Sequence, residues 1–273
     1  MAKRHIRNPE ATIARFKKQG RGQGTGAEWG PWYHVQDMSS KGLVSRIQSW
    51  KNKRTVHIFS NLELDFFYTL EWSTEVTDIR EQYPLALDET ITIARLCKLR
   101  HPCFRGTDKP RILTTDFVIT TVTPSATSLL ARSVLHSAGL KSTRLRPQLE
   151  IERRYWQANG IDWAVVTEHD IPRVLARNVA IFHSHRDIAD RVSISPIEIE
   201  ELARFLTDDV SKRSLPLRAI TAQSDRQFEF PPGTSLAVAY HLLATRRWQI
   251  DMAVPIEPGK RLTLLSFDGV LCQ

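Results

Sequence analysis

Cysteine is scarce in this chain, whose 273 residues include only Cys97, Cys103 and Cys272. An odd and sparse set argues against a framework of disulfides and favours a reducing, cytoplasmic setting. Cys97 and Cys103 lie close to His101 in the sequence, and such residues can bind zinc. A fourth ligand and the spacing of a zinc knuckle are missing, so we do not expect a zinc site here.

Long apolar runs are missing as well. No segment approaches the ~18 consecutive apolar residues of a membrane-spanning helix, so we expect no membrane partner. The N-terminus carries positive charge without an apolar stretch behind it, which excludes a secretory signal. The chain is 41% hydrophobic and 25% charged, the balance of a globular protein with a core. Its length allows one large domain or two modest ones.

The positive charge is concentrated in one part of the chain. The whole sequence has 38 Lys and Arg against 30 Asp and Glu, a net charge of +8. Residues 1–58 hold 12 basic and 3 acidic residues, whereas residues 59–273 hold 26 and 27. This distribution excludes a uniformly basic protein of the histone type. Residues 1–27 end in a glycine-rich run and predict a flexible basic arm, with Lys17, Lys18 and Arg21 as candidate contacts to DNA phosphates.

Residues 1–167 read as one α/β unit. Ser60 followed by Glu63 predicts a capped helix to Trp72, because this spacing is typical of a helix start. Alternating apolar residues predict two strands that form a hairpin. The expected elements after the first helix are an extended segment Val76–Pro84, strands Arg111–Val122 and Leu129–Leu135, a helix Leu145–Asn159 and a strand Trp163–Thr167.

Residues 168–273 read as a second, α+β unit. Ser195, Pro196 and Glu198 form a strong helix-start signal, and that helix is expected to run to about Leu206. Helices followed by a hairpin are typical of a winged-helix module. The other expected elements are a short helix Ile171–Asn178, an apolar segment Leu215–Thr221, a helix Thr234–Arg247 and strands Trp248–Pro255 and Arg261–Phe267.

Two acidic residues fall where rigid elements could hold them together. Asp116 lies early in a predicted strand and Glu63 lies on the preceding helix. Paired carboxylates can hold Mg²⁺ for phosphodiester hydrolysis. Each residue also has a structural interpretation, Glu63 as the partner of Ser60 and Asp116 as a polar residue at a strand edge. A second group, His183, His185 and Asp187, has no motif around it and is better explained as a solvated connector.

Several stretches, in order along the chain, together resemble the TnsA family, the endonuclease subunits of heteromeric cut-and-paste transposases. They are Gly20–Gly24, Ser60–Leu64, Leu70–Trp72, Asp78–Pro84, Thr115–Phe117 and Leu149–Trp156. The resemblance implies a restriction-endonuclease-like domain, with a mixed sheet flanked by helices, followed by a winged-helix domain. It also implies Mg²⁺-dependent cutting of the 5′ strands at transposon ends, with Mn²⁺ as a substitute. The implied partners are transposon-end DNA, a TnsB-type transposase and a TnsC-type ATP-dependent regulator, the last contacted through the C-terminal domain.

Carried over by motif, the resemblance implies that Glu63 and Asp116 bind the metal. It also implies that Glu152 projects from the next helix toward the same site, where it supports the metal ligands or binds the metal through water. The family has Gln-x-Lys or Ser-x-Lys on the strand after the aspartate. Here Ser133 occupies the first position and Leu135 stands at the lysine position. Leucine supplies neither charge nor proton.

Other basic residues could replace the missing lysine. Arg132 and His136 are expected on the opposite face of the strand, by its alternation, and Lys141 lies in the following loop. Arg153 and Arg154 could equally grip DNA phosphates or form salt bridges.

Two functions therefore remain open. The first is an endonuclease subunit that cuts within a TnsB complex. The alternative is a catalytically impaired assembly subunit that bridges TnsB and TnsC without cutting, which the leucine at position 135 favours. A plain winged-helix transcription regulator does not account for the N-terminal α/β unit. The nearly neutral charge of residues 59–273 suggests that the C-terminal module meets protein more than bare DNA.

Overall fold

The computed structural model describes residues 9–37, 44–189 and 191–271. The chain divides into two compact units, Met1–Ile171 and Pro172–Gln273. Residues 1–8 of the predicted arm and Cys272 lie outside the described residues. Within the described residues, no helix combines the length and the apolar character needed to cross a membrane.

The first unit is a mixed α/β structure, as expected from the sequence. In chain order its helices and strands are α1 Pro9–Lys18, β1 Ser45–Gln48, β2 Thr55–Ile58, α2 Asn61–Trp72, β3 Val76–Pro84, α3 Leu87–Leu96, β4 Thr114–Val122, β5 Thr127–Val134, α4 Arg146–Ala158 and β6 Asp162–Val166. The predicted helix after Ser60, the hairpin and the helix before Gly160 are all present, with ends shifted by a few residues.

A four-stranded sheet in the order β3-β4-β5-β6 forms the centre of this unit. β4 pairs antiparallel with both β3 and β5, whereas β5 and β6 run parallel. Helices α3 and α4 cover the sheet through a buried cluster that includes Ala94, Val118, Ala131, Ile151 and Trp156. β1 and β2 form a separate antiparallel hairpin. A mixed sheet flanked by helices confirms the fold class expected for the first unit.

The predicted flexible arm is wrong for the residues that the structure describes. Residues 9–18 form α1, and its Phe16 packs with Trp32 and Ile112 in a buried cluster. Arg21 is only 8% exposed, because its guanidinium pairs with Asp37 and donates to the Trp32 carbonyl. Contacts with residues distant in sequence therefore order this segment, and Arg21 is not available to DNA phosphates.

The second unit is mainly helical. Its helices are α5 Arg173–Phe182, α6 Pro196–Lys212, α7 Leu217–Gln227 and α8 Thr234–Ala244. Ser195 caps α6 as predicted, through a reciprocal pair of hydrogen bonds with Glu198. α6 continues past Leu206 to Lys212, since Val210 on its last turns is also buried.

The predicted hairpin of the second unit is wrong in extent. Among the described residues of this unit, the strands are β7 Trp248–Gln249, β8 Ser266–Phe267 and β9 Val270–Leu271, in one small antiparallel sheet. Most of the segment between β7 and β8 lacks regular structure, although Ile256, Leu262 and Leu264 are buried. The winged-helix assignment therefore stays a prediction.

Candidate active site

Glu63 lies in the first turn of α2 and is 7% exposed. Ser60 caps the helix by accepting a hydrogen bond from the Glu63 amide, and the Ser60 hydroxyl donates to Glu63 Oε1 at 3.0 Å. The Phe59 amide donates to Glu63 Oε2 at 3.1 Å. The helix start thus fixes this carboxyl group inside the fold, so that the capping role and a site role are compatible.

Asp116 on β4 is held from both neighbouring strands. The Val134 amide of β5 donates to Asp116 Oδ2 at 2.7 Å, and the Gln82 side-chain amide of β3 donates to Oδ1 at 3.3 Å. The last paired residues of the β4–β5 ladder are Phe117 and Arg132, and Asp116 is the neighbour of Phe117 just beyond that end. Asp116 therefore sits where the two strands stop pairing and begin to part.

Glu152 on α4 is 2% exposed and belongs to a buried network of hydrogen bonds. The hydroxyl groups of Thr115 and Ser133 both donate to its Oε1, each at 2.6 Å. The Trp156 indole donates to Thr115 Oγ1, and the Trp163 indole donates to Ser133 Oγ. The predicted Ser133 is thereby joined to the predicted Glu152, one residue from the amide that binds Asp116.

The electrostatics link the three acids. Burial raises the pKa of Glu63, and charge repulsion from Asp116 raises it further. Burial also raises the pKa of Asp116. The pKa of Glu152 rises to about 7, chiefly through burial, while its hydroxyl donors oppose the shift and the charge of Asp116 adds to it. Asp116 therefore lies close enough to both Glu63 and Glu152 for its charge to raise their pKa values.

Within the described residues no group of three His, Cys, Asp or Glu side chains is arranged to hold a metal ion. Glu63 and Asp116 form a pair. Every group that lowers the pKa of either one is a neutral donor, namely Phe59 and Ser60 for Glu63, and Val134 and Gln82 for Asp116. Among the described residues, these two buried carboxyl groups receive hydrogen bonds from neutral donors and not from Lys or Arg. Such a pair fits a small divalent cation, since Mg²⁺ commonly takes one or two carboxylates and completes its shell with water and phosphate.

Leu135 follows the last residue of β5 and is half-buried. Its amide donates to the Val166 carbonyl of β6 at 3.1 Å. Its side chain packs beside Gly139, where an added Cβ would approach Leu135 Cδ1 to 2.8 Å. The leucine thus contributes to packing at the end of the strand.

The candidate replacements for lysine differ in their surroundings. Arg132 is paired with Asp162 at 2.6 Å, and His136 Nδ1 lies 3.5 Å from Glu168. Lys141 ends an exposed 3-10 turn after β5.

The candidate DNA contacts also differ from one another. Lys17 and Lys18 are exposed in the last turn of α1. Arg153 and Arg154 are both paired with Glu150, at 2.8 and 2.6 Å. Three exposed cations follow β5 and have no acidic partner in the described part of the chain: Lys141 and Arg144 before α4, and Arg146 at its first position. Sequence reasoning considered Lys141 as a replacement for the lysine and gave no role to Arg144 or Arg146.

Helix α8, which precedes the small sheet of the second unit, has eight of its eleven residues buried. Its sequence contains neither lysine nor arginine. A helix that reads DNA needs exposed polar and basic side chains for phosphates and base edges. α8 lacks that surface. The kind of partner that the second unit meets stays a prediction.

The other two clusters weighed from the sequence do not assemble into metal sites in the described residues. Both ring nitrogens of His101 make hydrogen bonds to protein atoms, the Pro102 carbonyl and the Thr90 hydroxyl.

Gln82 contacts Asp116 across the sheet, and sequence reasoning assigned no role to it. The stretch Asp78–Pro84 carried part of the resemblance, but nothing in the sequence indicated a contact with the aspartate.

Comparison with known proteins identifies the family of this chain. Residues 73–168 match the family described as TnsA-like endonuclease N terminal, and residues 170–252 match TnsA endonuclease C terminal. The chain is 40% identical over 184 residues to the Transposon Tn7 transposition protein TnsA of Escherichia coli. That alignment covers 67% of this chain and 66% of the relative. Asp116, Ser133 and Glu152 lie within the first family match, and Glu63 precedes it. With both halves matched and the fold in agreement, the chain belongs to the TnsA-like family.

Proposed function

We propose that this chain is the DNA endonuclease subunit of a Tn7-type transposase and cuts the 5′ strands at transposon ends. The observation that carries the proposal is the convergence of Glu63, Asp116 and Glu152 where β4 and β5 part. These acids come from α2, β4 and α4, so the fold rather than local sequence brings them together. Raised pKa values in one cluster are typical of functional sites, and the family match names an endonuclease.

Glu63 and Asp116 would hold Mg²⁺, for which Mn²⁺ could substitute. A divalent cation there supplies an activated water and stabilises the leaving oxygen of the phosphodiester. The chain's own contribution is orientation. Val134 and Gln82 each occupy one oxygen of Asp116, and Ser60 and Phe59 hold Glu63.

Glu152 contributes through the network behind the pair. Its Oε1 accepts from Thr115 and Ser133, which are adjacent to Asp116 and Val134 in their strands. A pKa of about 7 lets this carboxyl group hold a proton near neutral pH, which would limit the negative charge of the cluster before a cation binds. We propose that this network positions the strand ends and that any contact of Glu152 with the cation is made through water.

The DNA backbone would approach along the segment between β5 and α4. Lys141 and Arg144 are exposed there, and Arg146 is exposed at the first position of α4. The segment begins directly after the strand whose amide binds Asp116. Cations without an acidic partner are free to replace counterions on DNA phosphates. Arg153 and Arg154 are partly neutralised by Glu150 and would contribute less.

The partners follow from the family. The relative's name assigns it to Tn7 transposition, and we propose that this chain acts with a TnsB-type transposase that handles the other strand. The second unit would contact a TnsC-type regulator, in keeping with the mostly buried α8 and its lack of basic residues. The family match to endonuclease domains favours cutting over the alternative of an assembly subunit that does not cut.

The test is strand cleavage on supercoiled donor DNA with transposon ends, a TnsB-type partner and Mg²⁺. Asp116→Asn is expected to abolish 5′-strand cuts while leaving assembly on the DNA intact. Asp162→Asn is the matched control, because Asp162 is a mostly exposed aspartate of the same sheet and pairs with Arg132. Wild-type cutting by Asp116→Asn would show that the site is misassigned.

A further inference from the structure

Gln82 is a buried polar residue that the proposed chemistry does not yet explain. It is 7% exposed and lies on β3 between Glu81, which pairs with Phe117, and Tyr83, which pairs with Thr115. This register puts Gln82 directly opposite Asp116. Its Nε2 donates to Asp116 Oδ1 at 3.3 Å, and its Oε1 accepts from the Thr114 hydroxyl at 3.2 Å.

The backbone of Gln82 is left-handed, with φ of 49°. This conformation is uncommon for a residue with a Cβ and costs energy that the surroundings must offset. Its effect is to interrupt the alternation of β3. The guanidinium carbon of Arg80 lies 5.8 Å from the ring centroid of Tyr83, whereas regular alternation directs residues three apart to opposite faces. The irregularity falls at the one residue of β3 that contacts Asp116.

The N-terminal segment fixes this irregular backbone from the outside. The Trp32 amide donates to the Gln82 carbonyl at 3.1 Å, and the Trp29 indole donates to the Glu81 carbonyl at 3.0 Å. The Trp29 ring also stacks on Tyr83, with centroids 5.2 Å apart and planes within 5°. The residue on each side of the left-handed position is therefore clamped, so Gln82 has little freedom to change its conformation.

We propose that Gln82 is a positioning residue whose amide sets the orientation of the Asp116 carboxylate before cation and DNA arrive. With the Val134 amide on Oδ2 and the Gln82 amide on Oδ1, the carboxylate has one rotational setting. The purpose of this setting rests on the proposed endonuclease function. The competing explanation is that Gln82 only fills space and satisfies Thr114.

Direct binding of Mn²⁺, measured by calorimetry without DNA, separates the two explanations. Gln82→Met keeps most of the side-chain volume and removes the amide. Removal of a hydrogen bond that orients a metal ligand typically weakens metal binding by about 10–100-fold, and we expect a decrease of that size. Gln148→Met is the matched control, because the Gln148 side-chain oxygen accepts a hydrogen bond from Arg111 at 2.8 Å and makes no contact with Asp116.

A second variant guards against a failure of folding. Gln82→Gly removes the same amide but adopts a left-handed backbone without strain. A positioning role predicts weak Mn²⁺ binding in both Gln82 variants, whatever their melting temperatures. If affinity instead follows melting temperature across both variants and the control, or if Gln82→Met binds like wild type, the inference is overturned.

Failure of the proposed function gives a different result. If Asp116→Asn binds Mn²⁺ as wild type does, the metal site itself is wrong. The crystal structure of Gln82→Met then decides the inference alone. A changed Asp116 side-chain torsion supports positioning by Gln82, whereas an unchanged torsion contradicts it.

Discussion

Buried acids of the first unit differ in their hydrogen-bond partners. Glu81 is 1% exposed and receives two hydrogen bonds from the Arg54 guanidinium and one from the His57 amide. Among the described residues, Glu63, Asp116 and Glu152 receive hydrogen bonds from neutral groups only, and burial raises the pKa of all three. A buried carboxylate paired with an arginine is already neutralised within the fold. A buried cluster of acids with neutral donors is instead stabilised when it binds protons or an external cation.

The same contrast appears among the surface cations. Arg153 and Arg154 share Glu150, whereas Lys141, Arg144 and Arg146 have no acidic partner in the described part of the chain. This contrast is the basis for proposing Lys141, Arg144 and Arg146, rather than Arg153 and Arg154, as the contacts to DNA phosphates.

The largest expected effect is on a complete pair. Glu81→Gln leaves the buried Arg54 guanidinium without a counterion, and breaking such a pair costs about 3–5 kcal/mol. Urea unfolding without metal should show this decrease in stability. Glu150→Gln, on the surface, should cost less than about 1 kcal/mol in the same measurement. Equal decreases would show that burial does not distinguish the two kinds of pair.

The second prediction supplies the missing cation. Leu135→Lys places a charge at the position where the resemblance implies a lysine, and one transition-state contact is typically worth about 10²–10³ in rate. We expect the rate of 5′-strand cleavage to rise by that order, measured in single-turnover reactions with the transposase partner. Leu140→Lys, in the exposed turn nearby, should not change the rate. An unchanged or lower rate for Leu135→Lys would place the catalytic cation elsewhere.

The third prediction concerns pH. The pKa of Glu152 in the folded protein is about 7, above its ordinary 4.5, so protonation favours the folded state. This contribution is complete below about pH 4.5 and is lost as the pH rises through about 7. Glu152→Gln should therefore raise the free energy of unfolding at pH 8 by on the order of 3 kcal/mol and change it little at pH 4. Urea unfolding curves in the presence of a chelator give the free energy of unfolding of both proteins at pH 4 and pH 8. If the free energies of wild type and variant change in parallel with pH, this prediction is contradicted.

The smallest effect is expected at the surface. Replacing Lys141, Arg144 and Arg146 with glutamine should flatten the dependence of log K on log salt, by about 0.9 for each phosphate that the variant no longer neutralises. Fluorescence anisotropy with a duplex of the transposon end gives this slope. The control, Arg153→Gln with Arg154→Gln, should change the slope less, because Glu150 already neutralises part of that charge. Equal changes would remove the distinction between paired and unpaired cations.

Local signals predicted part of this structure well. Ser60 and Glu63 specify the start of α2, and the alternation on both sides of Pro124 specifies the β4–β5 hairpin. The acids of the candidate site were identified by motif, because the family resemblance supplied their roles. The helix start and the hairpin depend on residues close together in the sequence, whereas the fold brings the three acids together.

Features that depend on distant contacts were missed. Arg21 was assigned to DNA because its partner, Asp37, cannot be inferred from the glycine-rich run that surrounds it. Gln82 was overlooked because its left-handed backbone depends on Trp29 and Trp32. In the second unit, Leu262 and Leu264 alternate as in a strand, but packing of an irregular segment satisfies that pattern.

The N-terminal segment and the β1–β2 hairpin also close one side of the central sheet. β3 is an edge strand, and an exposed edge is a template for pairing with another chain. Here Asn52 imitates a neighbouring strand, since its side chain both donates to the Ile79 carbonyl and accepts from the Ile79 amide. Trp29 and Trp32 donate to two further carbonyl groups of β3, those of Glu81 and Gln82. The sheet therefore cannot be extended along this stretch of β3, and the segment that supports the site also protects the protein against edge-to-edge aggregation.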